Sequence, residues 1–421
     1  MTDVVADRLD LHLGIERFSR RGRTLTRRIS RREGTVSEST IRIPDCLDDD
    51  EQRLDRLFDL AWLRSTSQPP MTQANGLVRV VDLFAGCGGL SVGITEACRA
   101  LELEAFSVLA NDFDSETLEV YGLNFPEAQL AHGPIESLLD SDCGQPLSSS
   151  ELRLRRDLSE IDLVIGGPPC QGHSDFNNHT RNADPKNALY LKMARFCEVV
   201  RPAHVIIENV PGVERDKGRS AQRTWAILRD LGYEVDSGVI DASGLGVAQR
   251  RKRSITLASR VISPCMSALV SDLAVDQRDV MWAIGDLESL ESGEMFDNAP
   301  QPSPENARRM QFLLENGLYE LPDSERPDCH RLKEHTYHAV YGRLRSWEPS
   351  PTITTGFGST GRGRFVHPTL PRTLTPHEAA RIQFFPDFYN FGSPTRTKLH
   401  RMIGNAVPAK LGYALGIHLL R

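Results

Sequence analysis

The run IGGPPCQGHS, residues 165–174, ends an apolar strand-like stretch with two glycines and two prolines and then presents a cysteine. Pro168 and Pro169 fix φ and bias the backbone away from helix, so Cys170 is aimed rather than merely placed. A free cysteine also serves as a small buried hydrophobe, so this residue alone is as well read as structural. A second reactive group is Glu208, which closes the apolar stretch HVII and opens NVPG. On a parallel sheet both strand ends face the same rim, where ligands bind. A carboxyl there suits acid or proton-sharing work, whereas a lone strand-end Glu is more often simply solvated. QRRKR, residues 249–253, opens another strand, and its alternation places Arg251 and Arg253 on one face. Guanidinium groups match phosphates and base-edge oxygens; the plainer alternative is a solvated charged edge.

The stretch VVDLFAGCGGLSVGI, residues 80–94, reads as strand, glycine turn and helix. Gly86 and Gly88 let the backbone approach a ligand closely. The turn matches neither G-x-G-x-x-G nor G-x-x-x-x-G-K-[ST], which disfavours a phosphate cradle and a nicotinamide dehydrogenase. The next strand ends in VLANDFD, with Asp112 at roughly the spacing where an acid meets ribose hydroxyls. Phe113 follows and can lie against an adenine face. A nucleoside without pyrophosphate fits this end, and S-adenosylmethionine is such a nucleoside.

The elements that must position these groups alternate. LVRVVDLFA, AFSVLAND, IDLVIGG, HVIIENV, EVDSGVIDA and RSITLAS read as strands, with helical patterns between them. Alternation of this kind predicts an α/β fold whose parallel sheet is covered on both faces. Residues 77–260 form that catalytic and cofactor-binding domain, residues 261–342 a compact Pro-, Asp-, Glu- and His-rich unit, and residues 343–421 a segment returning to helix. Residues 1–76 read as an appendage. Its arginine-rich part, RRGRTLTRRISRR at 20–32, lacks periodicity and is expected to be unstructured on its own. DDDEQRLDRLFDLAWLRS at 48–65 reads as one amphipathic helix with acids in its first turn.

The chain of 421 residues carries a formal net charge of −7, so any affinity for nucleic acid must come from local clusters at 20–32, 249–253 and 361–364. Its eight cysteines form no C-x-x-C pair, which points to a reducing cytoplasm rather than a disulfide framework or a zinc site. The histidines and cysteine of CHRLKEHTYH, at 329–338, fit no standard zinc spacing, and no metal is expected. No apolar run is long enough to span a membrane, and the first residues carry acids within the apolar stretch, so export is not expected.

In this order, DLFAGCGGL, GGPPCQGHS, ENVPG, QRRKR and RMIGNAVP resemble the signatures of DNA (cytosine-5) methyltransferases of the bacterial restriction–modification or defence type. The resemblance runs from about residue 77 to 421, with part of 261–330 left out. It implies a Rossmann-like S-adenosylmethionine-dependent methyltransferase sheet with a small inserted target-recognition domain. It also implies methyl transfer to C5 of cytosine in duplex DNA through a Cys170–C6 adduct on a flipped base. Glu208 would engage N3 and the exocyclic amine, Arg253 the base O2, and Arg251 would support the site. Phe84, Gly86, Gly88, Leu90, Asp112 and Phe113 would hold the cofactor, with Ile135, Pro168, Leu189, Asn405 and Val407 completing its pocket. Gln171, Ser174, Gln249, Arg362 and Arg364 would contact DNA, and residues 171–187 would form a lid. Pro134 stands where many relatives carry the acid that meets the adenine amine, which leaves that contact to backbone groups or Asp142. The implied partners are duplex DNA and a cognate restriction or defence protein, with the chain itself a monomer. Alternative readings are an RNA cytosine-5 methyltransferase or a non-catalytic DNA-binding subunit.

Overall fold

The computed structural model describes residues 11–47, 53–71, 73–169, 189–216, 218–331 and 339–421. Cys170, Gln171, Ser174 and the expected lid at 171–187 lie outside the described residues, as do His335 and His338.

The chain opens with β1 (Leu11–Leu13), β2 (Glu16–Arg21), β3 (Thr24–Ser30) and β4 (Val36–Arg42), a four-stranded antiparallel sheet in sequential order. The unstructured arm expected at 20–32 is therefore corrected to strand. Leu25, Arg27 and Ile29 alternate inward along β3, and the presence of an arginine among the inward positions hides the period of two. Arg27 is only 2% exposed. Its guanidinium pairs with Glu96 at 2.6 Å, donates to Ser39 and lies over the Phe58 and Tyr413 rings. Arg31 and Arg32 donate to the carbonyls of Leu101 and His418, so the basic run is partly committed to the fold.

Helix α1 (Leu54–Leu63) forms where its spacing predicts, yet it is buried nearly all round. Asp55 meets the fully buried Arg278, and Asp59 meets Lys410 at 2.6 Å, so its acids are internal ion-pair partners. Burial disfavours ionisation of Glu96, but Arg99 and Arg27 outweigh it and hold the carboxyl at about 2. A carboxyl held below its unfolded value stabilises the fold above that value and loses its contribution as pH falls. For Glu96 the window runs from 4.5 down to about 2. Arg27→Met is expected to lower unfolding free energy by about 3 kcal/mol, because it strips a partner from a buried charge. Urea denaturation at pH 7 and pH 3 checks this: the deficit should be large at pH 7 and shrink in acid.

The main sheet comprises β5 (Leu77–Leu83), β6 (Glu104–Asp112), β7 (Gln129–His132), β8 (Leu163–Gly166), β9 (His204–Asn209), β10 (Glu234–Asp241) and β12 (Lys252–Ser259). Between the last two, β11 (Gln249–Arg250) pairs in parallel with the distant β13 (Ser350–Pro351). The sheet order is β10-β12-β9-β8-β5-β6-β7. Five strands run parallel from β9 to β7, while β12 is antiparallel to both its neighbours, which qualifies the all-parallel expectation. Short β7 carried no apolar run and was not among the expected strands; its residues are half-exposed at the sheet edge.

Helices cover both faces. Val80, Leu163, Ile165 and Ile206 pack beneath α2 (Gly89–Ala100), α7 (Met266–Leu273) and α13 (Ala409–Leu420). Val81, Leu83, Val164 and Val205 pack against α5 (Leu189–Val200) and α6 (Ser220–Asp230). The two outer helices α3 (Ser115–Asn124) and α4 (Ser149–Asp157) follow β6 and precede β8, each capped by a side chain. A Cβ on Gly93 would lie 2.0 Å from the Ala409 carbonyl oxygen, so α13 reaches α2 backbone to backbone and returns the chain end to the sheet.

Residues 261–342, read as one compact unit, divide among three packings. Leu269 and Leu273 of α7 join the core on the α2–α13 face of the main sheet, whereas Val280, Trp282 and Ile284 of α8 (Val280–Ile284) pack with α1 and the returning segment. Met310 and Leu313 of α9 (Pro304–Glu315) form a separate small core with Leu321, Val340, Tyr341 and Val366. Helix α10 (Asp328–Arg331) follows, and α11 (Pro376–Ile382) and α12 (Arg396–Asn405) lead to α13. No helix among the described residues is long and apolar enough to cross a membrane.

Candidate active site at the carboxyl rim of the sheet

Strands β5, β6, β7, β8 and β9 all end at one rim, and antiparallel β12 begins there. A cleft of about 1080 Å³ lies over this rim. Parallel pairing of β8 with β9 sets Gly166 against Ile207, which places Glu208 beside the strand end leading to Cys170. A Cβ on Gly167 would sit 3.4 Å from Glu208 Oε2, so the carboxylate lies against that backbone. From the other side Arg253 Nε donates to Glu208 Oε1 at 2.6 Å, and both side chains are nearly buried. The expected carboxyl and guanidinium therefore meet as a charge-assisted pair on the cleft wall.

Arg251 also reaches the cleft, but its guanidinium turns to the carbonyls of Ile353, Gly404 and Ala406. It ties the returning segment, with Asn405 and Val407, to the start of β12. Asn209, next to Glu208, donates to the Pro168 carbonyl at 3.1 Å and accepts from the Val210 N–H. This amide clamps the two strand ends together, a role visible in the sequence only as the residue after Glu208.

At the other end of the cleft Phe84 holds φ at 58°, and Gly86 turns left-handed after it. A Cβ on Gly86 would meet nothing within 4 Å, so the turn faces open space. Gly88 caps α2 in a left-handed conformation; it does not line the cleft, and a Cβ there would press on Tyr121 and Phe125 at 3.0 Å. Leu90, Ile135, Pro168 and Leu189 line the cleft, as do Asn405 and Val407.

Asp112 Oδ2 accepts from the Gly86 N–H at 2.8 Å and Oδ1 from the Asp114 N–H at 2.9 Å. Burial pushes its carboxyl above the ordinary value despite these bonds. Each oxygen keeps a lone pair beyond its backbone contact, which suits vicinal hydroxyls. Phe113 lines the same end with its ring 74% exposed. A spare carboxylate acceptor, an open aromatic and a glycine turn fit a nucleoside-bearing group.

Sequence reasoning missed Asp82, which also lines the cleft beneath the turn. Burial pushes its carboxyl up to about 8, while Ser91 donates to it at 2.6 Å. It opens the run DLFAG, so its place beside the glycines was the available signal. Glu136 lines the cleft beside Ile135, whereas Asp142 stands outside it and faces Lys192 at 3.8 Å. Asp142 is thus corrected as a cofactor contact.

Two residues expected at DNA carry bonds within the fold, although Arg364 also lines the cleft. Gln249 is fully buried; its amide donates to Gln383 and accepts from the Ile353 N–H, so it pins β11 to the returning segment. Arg364 donates to the carbonyls of Tyr319 and Arg343 and pairs with Glu320 at 2.7 Å, serving the small core. Arg362 is exposed.

A Rossmann-like sheet with a nucleoside-type pocket and a carboxyl–guanidinium pair on one rim defines an S-adenosylmethionine-dependent methyltransferase fold. Residues 78–421 match the family model described as C-5 cytosine-specific DNA methylase. The chain is 45% identical over 407 residues to "Type II methyltransferase M1.BsuMI" of Bacillus subtilis (strain 168), covering 97% of this chain and 95% of that protein. It is 28% identical to "Type II methyltransferase M.DdeI" of Desulfomicrobium norvegicum, over 80% of this chain and 87% of that one. Among solved structures, the S. pombe Dnmt2 methyltransferase superposes with a TM-score of 0.57 at 19% identity, covering 81% of this chain and 98% of that chain, a likeness of fold. The chain belongs to the C-5 cytosine-specific DNA methylase family. It is a DNA (cytosine-5)-methyltransferase.

Proposed function

We propose that the chain methylates cytosine within a defined site of duplex DNA, using S-adenosylmethionine, with Cys170 as nucleophile. A stacked base cannot present C6 to a thiol, so the cytosine is flipped into the cleft. The Cys170 thiolate adds to C6, a proton relayed through Glu208 reaches N3 as electron density is pushed into the ring, and Glu208 accepts from the exocyclic amine. Arg253 keeps Glu208 oriented and meets O2. C5 becomes enamine-like; after transfer its proton passes to water, the C6–S bond breaks and the Cys170 thiolate leaves with the electron pair, a role that needs both a good nucleophile and an adequate leaving group. The bound cofactor supplies the electrophilic methyl. Phe84, Gly86, Asp112 and Phe113 would hold its nucleoside, with Glu136 near enough along the wall to serve the adenine amine.

The observation that carries this reading is the Glu208–Arg253 pair set against Gly167, three residues before Cys170. Similarity to Type II methyltransferases supports a restriction–modification role in the cytoplasm with a cognate restriction protein. Arg362 is retained as a phosphate contact. Asp112→Ala is expected to weaken cofactor binding by roughly 10- to 100-fold, the loss of hydrogen bonds to a charged group, with DNA affinity unchanged. Calorimetric titration of each ligand checks it.

The whole reading is tested by expressing the chain alone in a host lacking cytosine methylation and sequencing 5-methylcytosine at base resolution. A single methylated motif is expected. Folded protein without any methylation would overturn the claim that this chain suffices for catalysis.

A further inference from the structure

At the mouth of the cleft the segment Arg345–Glu348 carries a tryptophan that the packing does not cover. Trp347 is 61% exposed, whereas Trp62 and Trp282 are buried and Trp225 is half-buried. A ring of this size left in water is unfavourable by its apolar area alone, so its exposure is informative. It is not loose. Its ring meets the Tyr319 ring in a T-shaped contact with centroids 5.4 Å apart. Tyr319 is in turn fixed by the Arg343 guanidinium over its face at 4.6 Å and by Arg364 bonding its carbonyl. The arginine expected to track phosphate thus supports the residue that supports Trp347.

The chain neighbours of Trp347 line the cleft. Arg345 and Glu348 do so directly, and Arg250 joins them. Glu348 accepts from Arg345 Nη1 at 3.3 Å through one oxygen and from Arg250 Nη1 at 3.3 Å through the other. One carboxylate thus steadies two partly exposed guanidinium groups whose remaining donors are open to an anion. Pro349 precedes β13 and Pro351 lies within it opposite Arg250, and both stiffen the segment. A rigid exposed aromatic beside paired arginines on a cleft wall matches how nucleic acid is gripped: phosphates by the cations and a base by the ring.

We propose that Trp347 stacks on a base that flipping leaves uncovered beside the target cytosine, with Arg345 and Arg250 on the flanking phosphates. This rests on the reading of the cleft as the site of a flipped base. The partner is duplex DNA. Trp347 is not among the residues proposed to hold the cofactor, so cofactor binding should not depend on it.

The test is tryptophan fluorescence during titration with a cytosine-containing duplex, on the full chain and on Trp347→Phe and Trp347→Ala. The unsubstituted chain should be quenched by DNA, and Trp347→Phe should lose most of that quenching while binding DNA within about threefold. Trp347→Ala should bind about tenfold more weakly, the typical loss of one base–aromatic stack. Affinity for S-adenosylmethionine should be the same in all three. Undiminished quenching in Trp347→Phe, or DNA affinity within twofold in Trp347→Ala, overturns the proposal. Methylation by the unsubstituted chain, assayed in parallel, separates the two levels: intact methylation with either of those results sinks the Trp347 contact alone. A chain that neither binds duplex nor methylates it sinks the cleft reading and this one with it.

Discussion

Cys170→Ser is expected to abolish methyl transfer, by roughly 10⁴-fold or more, as when a covalent nucleophile is removed. Serine keeps the size of the side chain but has no accessible anion near neutral pH, so C6 is never attacked and C5 never becomes nucleophilic. The residues proposed to hold the cofactor, Phe84, Gly86, Asp112 and Phe113, lie at or just after the ends of β5 and β6, whereas Cys170 follows β8. S-adenosylmethionine affinity should therefore stay within a few-fold. A second readout is covalent capture on 5-fluorocytosine duplex: the unsubstituted chain should form a denaturation-resistant complex and the variant none. Capture by Cys170→Ser would remove Cys170 from the mechanism, and loss of cofactor binding would redraw the site.

The second large effect is at Glu208. Glu208→Gln is expected to reduce the single-turnover rate by roughly 10²- to 10⁴-fold, the range for losing a positioned acid–base group. The amide keeps the shape but has no proton to relay to N3. Arg253→Met should also be strongly impaired, because Arg253 Nε orients the carboxylate through the 2.6 Å contact. The two losses should not add: residues acting as one unit give a double variant little worse than the poorer single. Glu208 and Arg253 are nearly buried, so either single change also leaves an uncompensated charge. Thermal unfolding of all three proteins separates that from catalysis. Restored stability in the double variant with no recovery of rate is the expected pattern. Glu208→Gln working within tenfold of the unsubstituted chain would count decisively against its role.

The strands were legible because β5, β8 and β9 centre on short apolar runs flanked by glycine or polar residues, as buried parallel strands do. β7 was not, since QLAH at a half-exposed sheet edge has no apolar period to show. The N-terminal sheet was hidden for a different reason. β3 does alternate, but Arg27 stands at an inward position, and an arginine reads as surface until its partner Glu96, some seventy residues away, is seen.

The same limit governed the site. The cysteine after two prolines, the carboxyl ending an apolar strand, the glycine turn and the acid following it are local patterns, and the sequence by itself determined their residue types and order. Tertiary structure alone decided which polar side chains face the cleft. Gln249, Arg251, Arg253 and Arg364 look alike in sequence as donors near a DNA-methylating site. Gln249 pins Ile353, Arg251 gathers three carbonyls, Arg364 holds Tyr319, and of the four Arg253 pairs with Glu208. A guanidinium donates equally well to a phosphate, a carboxylate or its own chain's carbonyls. What separates those uses is the direction and burial imposed by elements from 45 to more than a hundred residues apart, which no local spacing encodes.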